Sequence, residues 1–278
     1  MPVPELGAQR ASFRSRRLAV GLLALALALV GTAASDPLPT AAASKKVVIV
    51  VGPVGTSTAS YIRSARSYAS QARSYGANVI EIYSPYATWT RVKTALQGAN
   101  LLIYLGHGNG WPSPYGPFQR YTKDGLGLNA VAGRGNSNTK YFGEYYLARD
   151  IRMATNAVVI LNRLCYASGN SEWGAPNPTL TTAKKRVDNF GAGFLRTNAR
   201  GVFAEGIKSA SYILTGLFRT SRSMASILRM APGWTGTYLT GFRSTRTATM
   251  SAIMDPSSPG RYYRSYIGRT TMTAADWR

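Results

Sequence analysis

The chain reads as an α/β protein, a mostly parallel sheet with helices on both faces, and three observations lead there. Short apolar runs at 46–51 (KVVIVV), 100–105 (NLLIYL), 157–161 (AVVIL) and 201–204 (GVFA) each break off into a turn-rich loop. That is the pattern of strands buried on both faces. The segments between them carry helical periodicity, so strands and helices alternate. Finally, two of the runs lead into loops that hold the only histidine, His107, and the only cysteine, Cys165, of 278 residues. Open α/β sheets gather functional groups in such loops, at the carboxyl ends of the strands.

Taken in order, Arg14, Arg16 and Arg17 precede an apolar stretch over 18–31 and the small residues Thr32, Ala33, Ala34 and Ser35. Basic head, apolar middle and small-residue tail make 1–34 a secretory signal peptide. The apolar stretch is shorter than the roughly 20 residues a membrane span needs, and no later segment is long and apolar enough. The expected organisation is therefore signal peptide 1–34, linker 35–45, an α/β domain over 46–220, and a basic C-terminal extension over 221–278 packed on or flanking it. The product is secreted or held at the cell wall, in the manner of a bacterial export.

The strand at 46–51 turns at Gly52-Pro53-Val54-Gly55, without the Lys-Ser/Thr of a P-loop or the third glycine of a dinucleotide fingerprint. A helix over 58–75 follows, with Tyr61, Ala65, Tyr68 and Ala72 on one face and Gly76 at its end. A strand at 79–83 and a helix at 89–97 precede the strand at 100–105. Residues 108–141 are rich in Gly, Pro and aromatics, and are expected to pack as one wall of a site, with Trp111 facing it. A helix at 144–153 leads to the strand at 157–161. The next helix, 179–195, is capped by Thr179. It gathers Leu180, Ala183, Val187, Phe190 and Phe194 on one face and leaves Lys184, Lys185 and Arg186 largely off it. The strand at 201–204 ends in Glu205-Gly206, and helices follow at 212–218 and 224–230. Beyond Pro232 the pattern fades into Ser, Thr, Arg and Tyr, with a hairpin expected around 262–271.

The chain holds 33 Lys and Arg against 11 Asp and Glu, a net charge of +22. No run of five or six basic residues occurs, so the charge describes a surface rather than a nucleic-acid tail. It suits an anionic cell-wall polymer or glycan, or a solvated face with no dedicated ligand; export argues against nucleic acid. A lone cysteine forms no internal disulfide, and one Cys with one His does not make a zinc site. No metal or cofactor is expected. No G-x-S-x-G elbow is present. Glu172 and Glu205 both follow strand ends and are candidate acids near a cleft, as substrate-pocket groups or surface carboxylates.

A thiol attacks as thiolate, and a nearby histidine stabilises that form and later protonates the leaving group. Taken singly, His107 fits a hydrogen-bonded turn residue equally well, and Cys165 a packing residue. A buried strand ending in His-Gly, with a later one ending at Cys, resembles the caspase–gingipain–legumain group of cysteine peptidases, on the gingipain side. The resemblance covers roughly 46–218. It implies a caspase-like sandwich, a peptide or protein substrate, Cys165 as nucleophile, His107 as general acid/base, and Gly108 with Cys165 as oxyanion N–H donors. Cys165 follows His107 by 58 positions (165 − 107), where caspases use about 50. The chain departs from the caspases in lacking Gln-Ala-Cys-x-Gly and in placing Leu164 before the cysteine. The other reading is an inert secreted protein that binds an anionic wall polymer or glycan.

Overall fold

The computed structural model describes residues 44–278; the expected signal peptide and most of the expected linker lie outside the described residues. The elements are β1 (Lys46–Val51), α1 (Thr58–Ser74), β2 (Asn78–Tyr83), α2 (Trp89–Leu96), β3 (Leu101–Leu105), β4 (Leu126–Asn129), β5 (Thr139–Phe142), α3 (Glu144–Asp150) and β6 (Ala157–Asn162). They continue as α4 (Leu180–Leu195), β7 (Ala199–Glu205), α5 (Ser211–Arg219), α6 (Met224–Leu228), β8 (Thr240–Arg243), β9 (Ser251–Met254), β10 (Arg264–Gly268) and α7 (Ala274–Trp277). One sheet runs in the order β2-β1-β3-β6-β7-β10-β9-β8. Its first five strands are mutually parallel and its last three antiparallel.

Strand alternation divides the core in two. Val47, Ile49 and Val51 of β1, Leu101, Ile103 and Leu105 of β3, and Val158 and Ile160 of β6 pack with Ala65, Tyr68, Ala69 and Ala72 of α1 and with α5 to α7. The alternate residues Val48, Val50, Leu102, Tyr104, Val159 and Leu161 pack with α2 to α4 on the other side. Strands β1, β3 and β6 are apolar but for Lys46 and Asn162 at their ends, because each face meets its own helical layer. Helix α4 opens at Thr179, whose hydroxyl accepts from the Thr182 N–H at 3.2 Å. The fold is a mixed α/β sandwich. No helix among the described residues is long and apolar enough to cross a membrane.

Three features differ from the sequence reading. Residues 108–141 contain a two-stranded antiparallel sheet, β4 with β5, inside what reads as loop. Residues 221–278 extend the main sheet: β10 pairs with β7 and with β9, so 262–271 holds one strand rather than a hairpin. These strands are four or five residues long, too short to display a period. The third difference is Arg186, which is buried although helical spacing sets it off the apolar face. Its neighbours are two loops, which a helical wheel does not represent.

Candidate active site

Strands β3 and β6 are parallel neighbours, paired from Leu101↔Val158 to Leu105↔Asn162. The loops that leave their carboxyl ends therefore start side by side. Tyr104 fixes the first. Its buried hydroxyl donates to the Gly127 carbonyl (2.8 Å), accepts from the Gly127 N–H (2.9 Å) and lies 3.1 Å from the His107 carbonyl. One side chain thus ties the His107 backbone to strand β4. Asn162 fixes the second. Its amide donates to the carbonyls of Glu205 (2.8 Å) and Lys208 (3.0 Å), and its carbonyl accepts from the Tyr68 hydroxyl (2.9 Å).

The cysteine loop holds unusual backbone. Arg163 and Tyr166, on either side of Leu164-Cys165, have φ of 63° and 69°. Side chains other than glycine enter that left-handed region at a cost, and such residues cluster at functional sites. The loop is held there by Arg163 N–H donating to Glu205 (2.8 Å), Ala167 N–H donating to Cys165 (2.9 Å), and the Ser168 hydroxyl donating to Tyr262 (2.7 Å).

His107 and Cys165 line one cavity of about 670 Å³, with Gly108, Tyr115, Tyr141 and Glu172. Cys165 also borders a second cavity of about 450 Å³, lined by Tyr61, Arg163, Ile207, Tyr263, Glu172 and Trp173. Cys165 is thus shared by the two cavities. Trp173 is 97% exposed at the rim, free to meet a ligand rather than packed. The Tyr115 hydroxyl, from the histidine loop, donates to Glu172 Oε1 of the cysteine loop at 2.6 Å and closes the cavity on one side.

The imidazole is exposed at its edge, yet partial desolvation pushes its pKa below the ordinary histidine value. Cys165 is half-buried, and burial pushes its thiol up. The Glu172 charge adds to that rise, and a hydrogen bond from the Trp173 N–H partly offsets it. Both shifts favour the neutral forms, thiol and free-base imidazole, over a stored thiolate–imidazolium pair. The N–H groups of Gly108 and Cys165 donate to no protein acceptor among the described residues.

Gly108 packs against the cysteine loop so closely that a Cβ there would overlap the Cys165 carbonyl oxygen and crowd its nitrogen. Because the obstacle is backbone, the loops themselves must part to admit a methyl group. Gly108→Ala is expected to cost about 1–3 kcal/mol of stability, the usual range for overpacking, measured by chemical denaturation. An unchanged denaturation midpoint would mean that the two loops are not in contact.

The sequence candidates separate. His107, Gly108, Cys165 and Glu172 come together. Glu205 does not: its carboxylate is 2.8 Å from the Arg264 guanidinium in a buried ion pair, away from the cavity that His107 and Cys165 line. Trp111 lies outside the cavity wall, its N–H donating to Asp124 and its ring near Phe118. The wall of 108–141 is made instead by Tyr115, Gln119, Lys123 and Tyr141, among others. Nothing in local sequence marks these four out, since their placement depends on how the loop folds back.

Asp124 secures that loop. Its N–H donates to the Asn109 carbonyl (2.9 Å), and its carboxyl accepts from Trp111 (3.0 Å). It is fully buried, and burial pushes its carboxyl up to about 8. In the unfolded chain an aspartate ionises near ~4. The folded state thus holds a proton that the unfolded state has lost, and stability falls as pH rises between those values. The urea midpoint should drop from pH 5 to pH 9, and Asp124→Asn should shrink that drop. An equal drop in the variant would assign the pH dependence elsewhere.

No family model matches the sequence, and no curated protein matches it. Among solved structures it is similar to the Arg-specific cysteine proteinase gingipain R. The identity is 14%, the TM-score 0.37, and the match covers 84% of this chain. The chain spans 62% of the length of gingipain R.

Proposed function

We propose that the chain is a cysteine peptidase-type hydrolase acting through Cys165 and His107. The observation that carries this reading is the convergence of the only thiol and the only imidazole on one cavity, from the ends of adjacent parallel strands. In the proposed reaction, His107 takes the Cys165 proton as sulfur bonds to the carbonyl carbon of a peptide. The carbonyl electrons move to oxygen, facing the Gly108 and Cys165 N–H groups. Collapse breaks the C–N bond, and His107 returns the proton to the leaving amine. Water, deprotonated by the same imidazole, then hydrolyses the thioester and frees the thiol. Shifts toward the neutral forms suit a general-base role for His107. Glu172 borders both cavities and is the acid placed to meet a substrate group.

The test is hydrolysis of a peptide library by the protein before and after alkylation of Cys165. Cleavage lost on alkylation supports the reading. No cleavage, with salt-sensitive retention on an anionic wall polymer that survives Cys165→Ala, is what the inert binding protein would give.

A further inference from the structure

Arg186 is a buried cation without a carboxylate. It sits in the middle of α4, 6% exposed, and no salt bridge reaches it among the described residues. Burying a guanidinium is costly unless its N–H groups are satisfied. Here Nε and Nη1 are satisfied by loop oxygens. Nε donates to the Pro112 carbonyl at 2.7 Å. Nη1 donates to the Asn170 carbonyl at 2.9 Å and the Ser171 hydroxyl at 3.1 Å, with the Gly169 carbonyl at 3.5 Å. The flat face lies 4.7 Å from the centre of the Tyr166 ring. Pro112 belongs to the loop that leaves His107; Tyr166, Gly169, Asn170 and Ser171 belong to the loop that carries Cys165. The neighbouring Asn189, one turn on, adds a bond from its amide to the Trp111 carbonyl (2.8 Å).

We propose that Arg186 is a positioning residue, a clamp that holds the His107 loop and the Cys165 loop in register from beneath. The planar fork explains why arginine stands here. It presents several donors in fixed directions, so one side chain grips carbonyls from two segments, which an ammonium on a flexible stem does not reproduce. The absence of a carboxylate has a consequence too: Nε and Nη1 donate only to backbone and hydroxyl oxygen of the two loops. The clamp itself stands on geometry alone; its catalytic meaning rests on the dyad reading.

Two measurements on the full chain separate these levels. Amide hydrogen exchange in wild type, Arg186→Lys, Arg186→Met and Ser171→Ala reports the clamp. Exchange in 108–116 and 165–173 should quicken together, about tenfold or more in the Lys and Met variants and less in Ser171→Ala, while β1 and β3 stay protected. Alkylation of Cys165 by iodoacetamide across pH 6–10, with His107 and with His107→Ala, reports the dyad. In wild type the histidine change should alter the rate; in folded Arg186→Lys that dependence should fall below about twofold. Exchange unchanged in both loops, or quickened in only one, overturns the clamp. If the Met variant does not fold, the Lys and Ser171→Ala variants decide. A wild-type rate indifferent to His107, with both loops loosened in the variants, upholds the clamp and removes the dyad reading.

Discussion

Cys165→Ala should lower peptide hydrolysis by at least about 10³-fold, because no other thiol exists in the chain to take its place. His107→Ala should cost about 10²–10⁴-fold, the range for a lost general acid/base. The pH profile distinguishes a neutral pair from a stored ion pair. Desolvation lowers the His107 pKa, so the imidazole is already free to accept a proton below the usual histidine range, and the acid limb of kcat/KM should lie below about 6.5. Burial raises the Cys165 pKa, so the alkaline limb should lie above the ordinary thiol range, where the leaving amine loses its proton donor. Alkylation of the resting protein should keep rising past that range. A plateau reached by pH 6 would mean a thiolate already formed in the resting site, and the neutral-pair description would be wrong.

The second large effect concerns stability. Arg264 is 7% exposed and holds two buried carboxylates at once, Glu205 at 2.8 Å and Asp255 at 2.8 Å, with a third bond to the Pro232 carbonyl at 3.0 Å. It lies on β10 opposite Glu205 of β7, so this triad fastens the antiparallel strands to the parallel ones. Arg264→Met fills the space but leaves two acids without a counter-charge. Breaking a buried pair from one side costs about 3–5 kcal/mol, which for a domain of this size lowers Tm by roughly 6–20 °C. Burial raises the Glu205 pKa and Arg264 opposes that rise. Without the arginine the acid holds its proton to higher pH. The variant's deficit should therefore be largest at neutral pH and shrink as pH falls toward the ordinary carboxylate range. A deficit under about 1 kcal/mol at pH 7, by urea denaturation, would show that the triad does not hold the sheet together. Thiol reactivity offers a second readout, because the Glu205 carbonyl accepts from both Asn162 and Arg163 at the start of the cysteine loop.

Much of the parallel half was legible in sequence, and for a physical reason. Strands β1, β3 and β6 are buried on both faces, so each must be a continuous apolar run, and the glycine-rich loops that end them are equally conspicuous. Helices α1 and α4 show a 3.6-residue period because each packs one face on the sheet. Strands β8 to β10 left no such mark. Strand β8 is an outer strand whose alternate residues are exposed, and all three are four or five residues long.

The candidate site divides along the same line. Sequence alone determined that the chain has one thiol and one imidazole, each carried out of a strand of buried type, because uniqueness and strand burial are local properties. That the two strands are neighbours, and so aim both loops into one cavity, was decided by the order of strands in the sheet. Sheet order also put Glu205 beside Arg264 rather than in the cavity that His107 and Cys165 line, and brought Glu172 to Tyr115. Arg186 shows the limit most plainly. A helical wheel places it with Lys184 and Lys185, and only the convergence of two loops over α4 supplies the carbonyl oxygens that make burial of its charge tolerable. Hydrogen-bond partners distant in sequence leave no periodic trace, so that part of the site belongs to the tertiary structure.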